Sequence, residues 1–192
     1  MLRFGQPTSI RIHLSKFMNR KLKLWELNRP TVEEFKDKEK FPIILILDNI
    51  RSLSNVGAFF RTADAFNVKK IYLCGITAKP PHREIQKTAL GATESIEWEH
   101  VEDAVALIKS LKKQKVKVCS IEQAEKTIPL NEFKVDNSAE YALVFGNEVD
   151  GVQQEVIDRS HHILEVPQFG TKHSLNVSVC AGVVLWEFVR GY

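Results

Sequence analysis

Cysteine is scarce in this sequence: Cys74, Cys119 and Cys180 are the three in 192 residues, widely spaced and without a C-x-x-C pair. That pattern argues against a disulfide framework and against a zinc knuckle, and it fits a reducing compartment. Long apolar runs are missing too. No stretch nears the roughly 20 residues that cross a bilayer, and no signal-peptide h-region is visible. The expectation is a soluble, cytoplasmic protein. The chain also has no G-x-G-x-x-G or G-x-x-x-x-G-K-[ST] run. Loops that cradle pyrophosphate or nucleotide phosphates need that spacing, so NAD and ATP are disfavoured. Internal repeats and low-complexity tracts are absent. His161-His162 has no metal-ligand partners nearby in sequence, and no metal site is expected.

What is present suffices for a packed core in one domain: 44% of residues are apolar and 27% charged. The net charge of +3 is unevenly spread, because residues 1–29 hold seven bases against Glu26 alone, a net of +6 that leaves −3 for the other 163. A basic, flexible arm of residues 1–29 ahead of a near-neutral domain of residues 30–192 suits a polyanion such as RNA. Residues 1–17 have no period and no acids, and a translation start assigned too early, or a flexible arm, explains them more simply than a function does; as a transit peptide they are shorter than usual. In the basic stretch 16–29, Trp25 beside Lys21 and Lys23 is expected to pack rather than to stack on a base.

Residues 31–39 read as a short helix with a capping box, Thr31 as N-cap and Glu34 three positions on. From residue 42 strands and helices alternate. PIILILD (42–48) suits a strand buried on both faces, and Val56, Phe59, Phe60, Ala63 and Phe66 repeat at helical spacing. Strands follow at 69–75, 116–121, 141–146 and 162–167, with helices at 101–113, near 152–159 and at 174–190. Residues 82–87 are read as part of a long loop. The fold class is α/β, a mostly parallel sheet with helices on both faces.

Ligands of such sheets sit beyond the carboxyl ends of the strands, and three exits carry unusual chemistry. After the first strand, Asn55 is placed as a helix N-cap. Arg61 follows six residues later, about 150° from the centre of the apolar stripe and close to Gly57. After 141–146 come Gly146, Asn147, Glu148 and Gly151, a tight turn with exposed main-chain groups. After the last strand, Ser174 and Asn176 stand at the mouth of a helix that is apolar on nearly every side from Val177 to Phe188. Such a helix needs burial on two fronts, its own sheet and a second subunit. No G-x-S-x-G elbow surrounds Ser174, so a hydrolase is not indicated.

Together these segments resemble the SpoU/TrmH family of RNA 2′-O-ribose methyltransferases, within the SPOUT superfamily. Asn55, Gly57 and Arg61-Thr62-Ala63 look like its first motif, Gly146-Asn147-Glu148-Val149-Asp150-Gly151 its second, and Val166-Pro167, Gly170 and Ser174-Leu175-Asn176-Val177-Ser178 its third. The resemblance implies a C-terminal trefoil knot, which ordinary topology rules would not propose. It also implies S-adenosyl-L-methionine as cofactor and a homodimer packed through the last helix. By position, Gly146, Val166, Leu175 and Ile121 look like cofactor contacts. Arg61 resembles the catalytic arginine, and Asn55, Glu148, Ser174 and Asn176 the polar residues that shape the site. Arg61 is an awkward base, because a guanidinium stays charged. A phosphate-paired cation that stabilises alkoxide charge is preferred, with a transiently neutral arginine as the alternative. The expected substrate is structured RNA, tRNA ahead of rRNA because no large appended domain is present. The competing expectations are a non-catalytic RNA-binding module on the same fold and a nucleotide-dependent oxidoreductase on an unknotted sheet.

Overall fold

The computed structural model describes residues 19–192, so the expectations for residues 1–17 lie outside the described residues. The chain divides into two units at Pro30 and Thr31, and of the first the described part is residues 19–30. In the first, a 3-10 turn at Leu24–Glu26 is closed by the Glu26 carboxylate, which accepts the Lys23 N–H at 2.7 Å and pairs with Arg20. Lys23 Nζ lies 4.9 Å from the ring centre of Trp25, and Trp25, expected to pack, is 75% exposed.

The second unit begins with the expected capping box: Thr31 Oγ1 accepts the Glu34 N–H at 3.2 Å while the Glu34 carboxylate accepts the Thr31 N–H at 2.8 Å. The elements then run α1 (Val32–Asp37), β1 (Phe41–Asp48), α2 (Leu53–Ala65), β2 (Val68–Cys74), α3 (Arg83–Ala89), α4 (Ala92–Ser95), β3 (Glu97–Val101), α5 (Ala104–Lys113), β4 (Lys117–Ile121), β5 (Ile128–Pro129), β6 (Tyr141–Gly146), α6 (Gln154–Ile157), β7 (His162–Glu165) and α7 (Val177–Val189). Seven strands form one sheet in the order β3-β2-β1-β6-β4-β7-β5. Every pairing between them is parallel.

The apolar run of β1 places it centrally. Because successive side chains alternate faces, Ile43, Leu45 and Leu47 meet Val56, Phe59 and Phe60 of α2 and Ala181, Val184 and Phe188 of α7. Ile44 and Ile46 join Ala104, Ile108 and Leu111 of α5 and Val156 of α6 on the other face. Burying each such side chain is worth roughly 1.5–3 kcal/mol, so a one-residue slip of β1 would exchange two full sets of core contacts.

Several expectations are corrected. The stretch expected as loop carries α3, and its exposed Arg83 and Lys87 stand one turn apart on it. Glu97–Val101 is an edge strand whose alternating charged residues hid it, and α5 starts at Ala104, capped by Asp103, not at 101. The two-residue β5 left no pattern to read. The last helix starts at Val177 with Asn176 as its N-cap, so Ser174 and Leu175 precede it.

Parallel pairing brings the strand ends to one edge. Asp48 is opposite Gly146, and Ile121 is opposite both Phe145 and Leu164. After β7 the chain turns back, and α7 packs on α2 and β6. Segment 166–176 joins β7 to α7 past the ends of β4 and β6, since Val166, Gln168 and Leu175 share a cavity wall with Ile121 and Gly146.

Candidate active site

Over the ends of β6, β4 and β7 lies a cavity of about 480 Å³. Its wall includes Ile121, Gly146, Val166 and Leu175, the four residues expected to hold a cofactor, together with Glu148, Ser174 and Asn176. Glu122 and Glu165 add two more carboxylates, and the wall carries no lysine or arginine among the described residues. The site is acidic.

Asn55 does not cap α2. Ser52 does, its Oγ accepting the Asn55 N–H at 3.3 Å; both residue types cap well, and the earlier one wins. That leaves the buried Asn55 side chain free to bridge. Its Nδ2 donates to Glu148 Oε1 at 2.8 Å, and its Oδ1 accepts from Asn176 Nδ2 at 3.1 Å. Asn176 Oδ1 then accepts the Ser178 N–H at 3.0 Å and the Val179 N–H at 3.3 Å, capping α7. The direction of this chain is forced. An ionised carboxylate only accepts, so Asn55 must turn its NH2 toward Glu148 and its oxygen toward Asn176. Asn176 must then spend its own oxygen on the helix.

Glu148 also accepts the N–H groups of Arg51 at 3.0 Å and Ser52 at 3.1 Å. Burial pushes its carboxyl up, but the hydrogen bonds from Arg51, Asn55 and Ser52 outweigh that, and the group titrates below the ordinary carboxylate range. The turn beneath it needs both glycines. Gly151 has φ +70°, and a β-carbon on Gly146 would overlap the Gly151 and Val152 backbone.

Sequence reasoning missed the opposite wall. Glu122 leaves β4 and accepts the Val152 N–H at 2.9 Å, packed where a Gly151 side chain would stand. Its neighbour Gln123 donates Nε2 to the His173 carbonyl at 3.0 Å, which ties down the returning segment. Cys180 shares this wall. Burial, then the Glu122 charge, pushes its thiol up to about 11, so it is not a nucleophile at neutral pH.

Arg61 is not gathered in. It is exposed on α2 and does not line the cavity. The gap expected beside it at Gly57 is filled by the chain itself, because a β-carbon there would overlap Thr88 Oγ1 and the Ile85 carbonyl of α3. His161, the first of the histidine pair, is occupied just before β7, where its Nδ1 accepts the Val118 N–H of β4 at 2.9 Å.

The 23S rRNA (guanosine-2'-O-)-methyltransferase RlmB of Vibrio vulnificus is 29% identical over 165 residues, covering 86% of this chain and 66% of its own length. The counterpart in Neisseria meningitidis is 32% identical over 149 residues, covering 78% of this chain and 58% of itself. The chain thus spans less than two thirds of these relatives. The tRNA (guanosine(18)-2'-O)-methyltransferase of Aquifex aeolicus is 28% identical, covering 83% of this chain and 74% of its own length. Among solved structures, the A. aeolicus TrmH/SpoU tRNA modifying enzyme superposes with a TM-score of 0.74 at 26% identity, covering 83% of this chain and 79% of that one. The AdoMet bound rRNA methyltransferase from Sinorhizobium meliloti follows at 0.71 and 25%, covering 82% and 60%. Residues 42–186 match the SpoU rRNA Methylase family. A match that runs from β1 into α7 takes in every element that builds the cavity, and the chain belongs to that family.

Proposed function

We propose that this chain transfers a methyl group from S-adenosyl-L-methionine to a ribose 2′-hydroxyl of structured RNA. The observation that carries the reading is the hydrogen-bonded line Glu148–Asn55–Asn176, which joins all three motif segments at the rim of one cavity. The cavity fits the cofactor. Its volume suits a small molecule, and its carboxylates, on a wall that holds no arginine or lysine side chain among the described residues, favour a cationic ligand over a phosphate-bearing one. Gly146, Val166 and Leu175 would hold it through main-chain groups, with Ile121 beneath. When bound, S-adenosyl-L-methionine supplies an electrophilic methyl group on a sulfonium, which an aligned ribose oxygen displaces.

The protein's own part is alignment and charge. Asn55 and Asn176 fix the mouth of α7, and Ser174 stands on the cavity wall beside it. Arg61 is proposed as the cation that pairs with an RNA phosphate and stabilises the charge developing on the ribose oxygen. Its exposure leaves it within reach of a large substrate. The basic stretch 16–29 serves as a further RNA contact. tRNA ahead of rRNA is part of this proposal, and enzymes of both kinds are similar to the chain. A homodimer through the outer face of α7 is proposed too, because Val179, Val183 and Trp186 are 55%, 42% and 61% exposed on it.

Purified protein, labelled S-adenosyl-L-methionine and bulk RNA test this directly. Arg61→Ala should lower methyl incorporation by about 100-fold or more and leave calorimetric cofactor affinity unchanged. Full activity in that variant removes Arg61 from the reaction. Absence of cofactor binding by the wild type would leave an RNA-binding module. Mapping ribose methylation in cells with and without the protein identifies the RNA, and Trp186→Glu should give a monomer by light scattering.

A further inference from the structure

A second cavity, of about 540 Å³, lies over the ends of β1 and β6. It shares Asn147 and Gly151 with the first, so a single turn separates the two. We infer that this second cavity is a nucleotide subsite for the RNA strand, with Arg51 holding a phosphate and Ile76 backing a base. This rests on the reading of the chain as an RNA-modifying enzyme and adds to it a strand-binding residue outside the three motifs.

Arg51 connects the two cavities. Its backbone N–H is held by the Glu148 carboxylate at 3.0 Å, within the network that fixes Asn55 and Asn176. Its side chain lines the second cavity and has no acidic partner among the described residues. Elsewhere in this unit Lys70, Lys117 and Arg190 each stand beside a carboxylate. A guanidinium whose backbone is fixed against the first site is suited to hold a phosphate in register with it, since a planar fork matches phosphate oxygens.

The rest of the wall is composed for a base. Ile76, a large apolar side chain 69% exposed, is rooted by its own N–H on Asn49 Oδ1 at 3.1 Å. The amide of Gln153 donates to the buried Asp48 at 2.6 Å, which leaves its oxygen for an incoming donor. Asn147 spends its oxygen on the Val149 and Asp150 N–H groups at 2.8 Å each, which leaves its NH2 for an incoming acceptor. The exposed Asp150 carboxylate would accept from a base amino group. One cation, one apolar plate and amides of both polarities are what a nucleotide needs. The first cavity differs in having no lysine or arginine on its wall among the described residues.

Arg51→Ala and Ile76→Ala make clean tests, since both keep the N–H groups that Glu148 and Asn49 hold. With bulk tRNA as probe, Arg51→Ala should raise the RNA KM about tenfold. It should also make the salt dependence of RNA binding, log K against log salt, shallower by about 0.7. Ile76→Ala should raise the RNA KM with the salt slope unchanged, and both should keep the wild-type affinity for S-adenosyl-L-methionine. An Arg51→Ala protein with wild-type KM and salt slope overturns the subsite while the proposed function stands. A wild type that binds no S-adenosyl-L-methionine sinks the proposed function instead, and the salt-slope comparison by direct RNA binding still decides on Arg51.

Discussion

Two carboxylates stand on opposite sides of the cavity and hold the same turn, residues 147–152, in different ways. Glu148 lies within the turn and reaches out to the start of α2, taking two main-chain N–H groups and the Asn55 amide. Glu122 lies outside it and reaches in, taking the Val152 N–H and that of its own neighbour Gln123. The first is part of a directed line of side chains, in which each amide's orientation is dictated by the one before. The second is a clamp on backbone that imposes no order on anything further along. Removing Glu148 should therefore disturb the chemistry at α7, and removing Glu122 should loosen the cofactor pocket alone.

The largest effect is expected where both carboxylates lose their object. Gly146→Ala places a methyl group into the Gly151–Val152 backbone, and displacing that turn should cost about 1–3 kcal/mol in urea unfolding and abolish calorimetric cofactor binding. Next comes Glu148→Ala, which strands the Asn55 amide and should cost about 1–2 kcal/mol, with kcat falling more than cofactor affinity. Asn176 separates the line from the cap. Asn176→Ala should lose about 1 kcal/mol as a helix cap. Asn176→Asp keeps the cap but turns an oxygen toward Asn55 Oδ1, and should keep most of the stability while losing activity. If both variants are equally active, the line carries no orientation. Glu122→Ala should be milder, about 0.5–1 kcal/mol, weakening cofactor affinity and sparing kcat at saturation.

The smallest effect is in pH. The folded Glu148 carboxyl lies below its unfolded value, so its contribution is complete above the unfolded pKa of about 4.3. It fades as pH falls through the folded value, where both states are protonated. Thermal melts from pH 6 to pH 3 should show a shallower acid decline in Glu148→Gln than in the wild type. An identical decline would mean that the donors around Glu148 give it no preference for the charged form.

The contrast also marks what could be read in advance. β1 announced itself because a strand buried on both faces must be apolar throughout, and Ile43 to Leu47 are. Asn55, Glu148 and Asn176 stand out in the sequence as polar residues at strand exits, although the cap of α2 is Ser52 and not Asn55. Those two lie three positions apart, and capping chemistry alone does not choose between them. Glu122 left no trace, because its partner is a backbone N–H thirty positions away and a single glutamate after a strand looks like any solvated one. α3 was hidden by Pro80-Pro81 and by its seven-residue length. Its purpose, to fill the groove at Gly57, depends on a contact that the sequence does not encode locally.

The bonds that join Asn55 to Glu148 and to Asn176 span 93 and 121 positions. Time enters here, since contacts so distant in sequence form late. A growing chain completes β1 and α2 long before the segments that give Asn55 its two partners, and until α7 docks the central amide has nothing to orient it. The joined line is thus the last part of the site the polypeptide assembles, and a single protease cut between Gln168 and His173 should leave the sheet standing while the site comes apart.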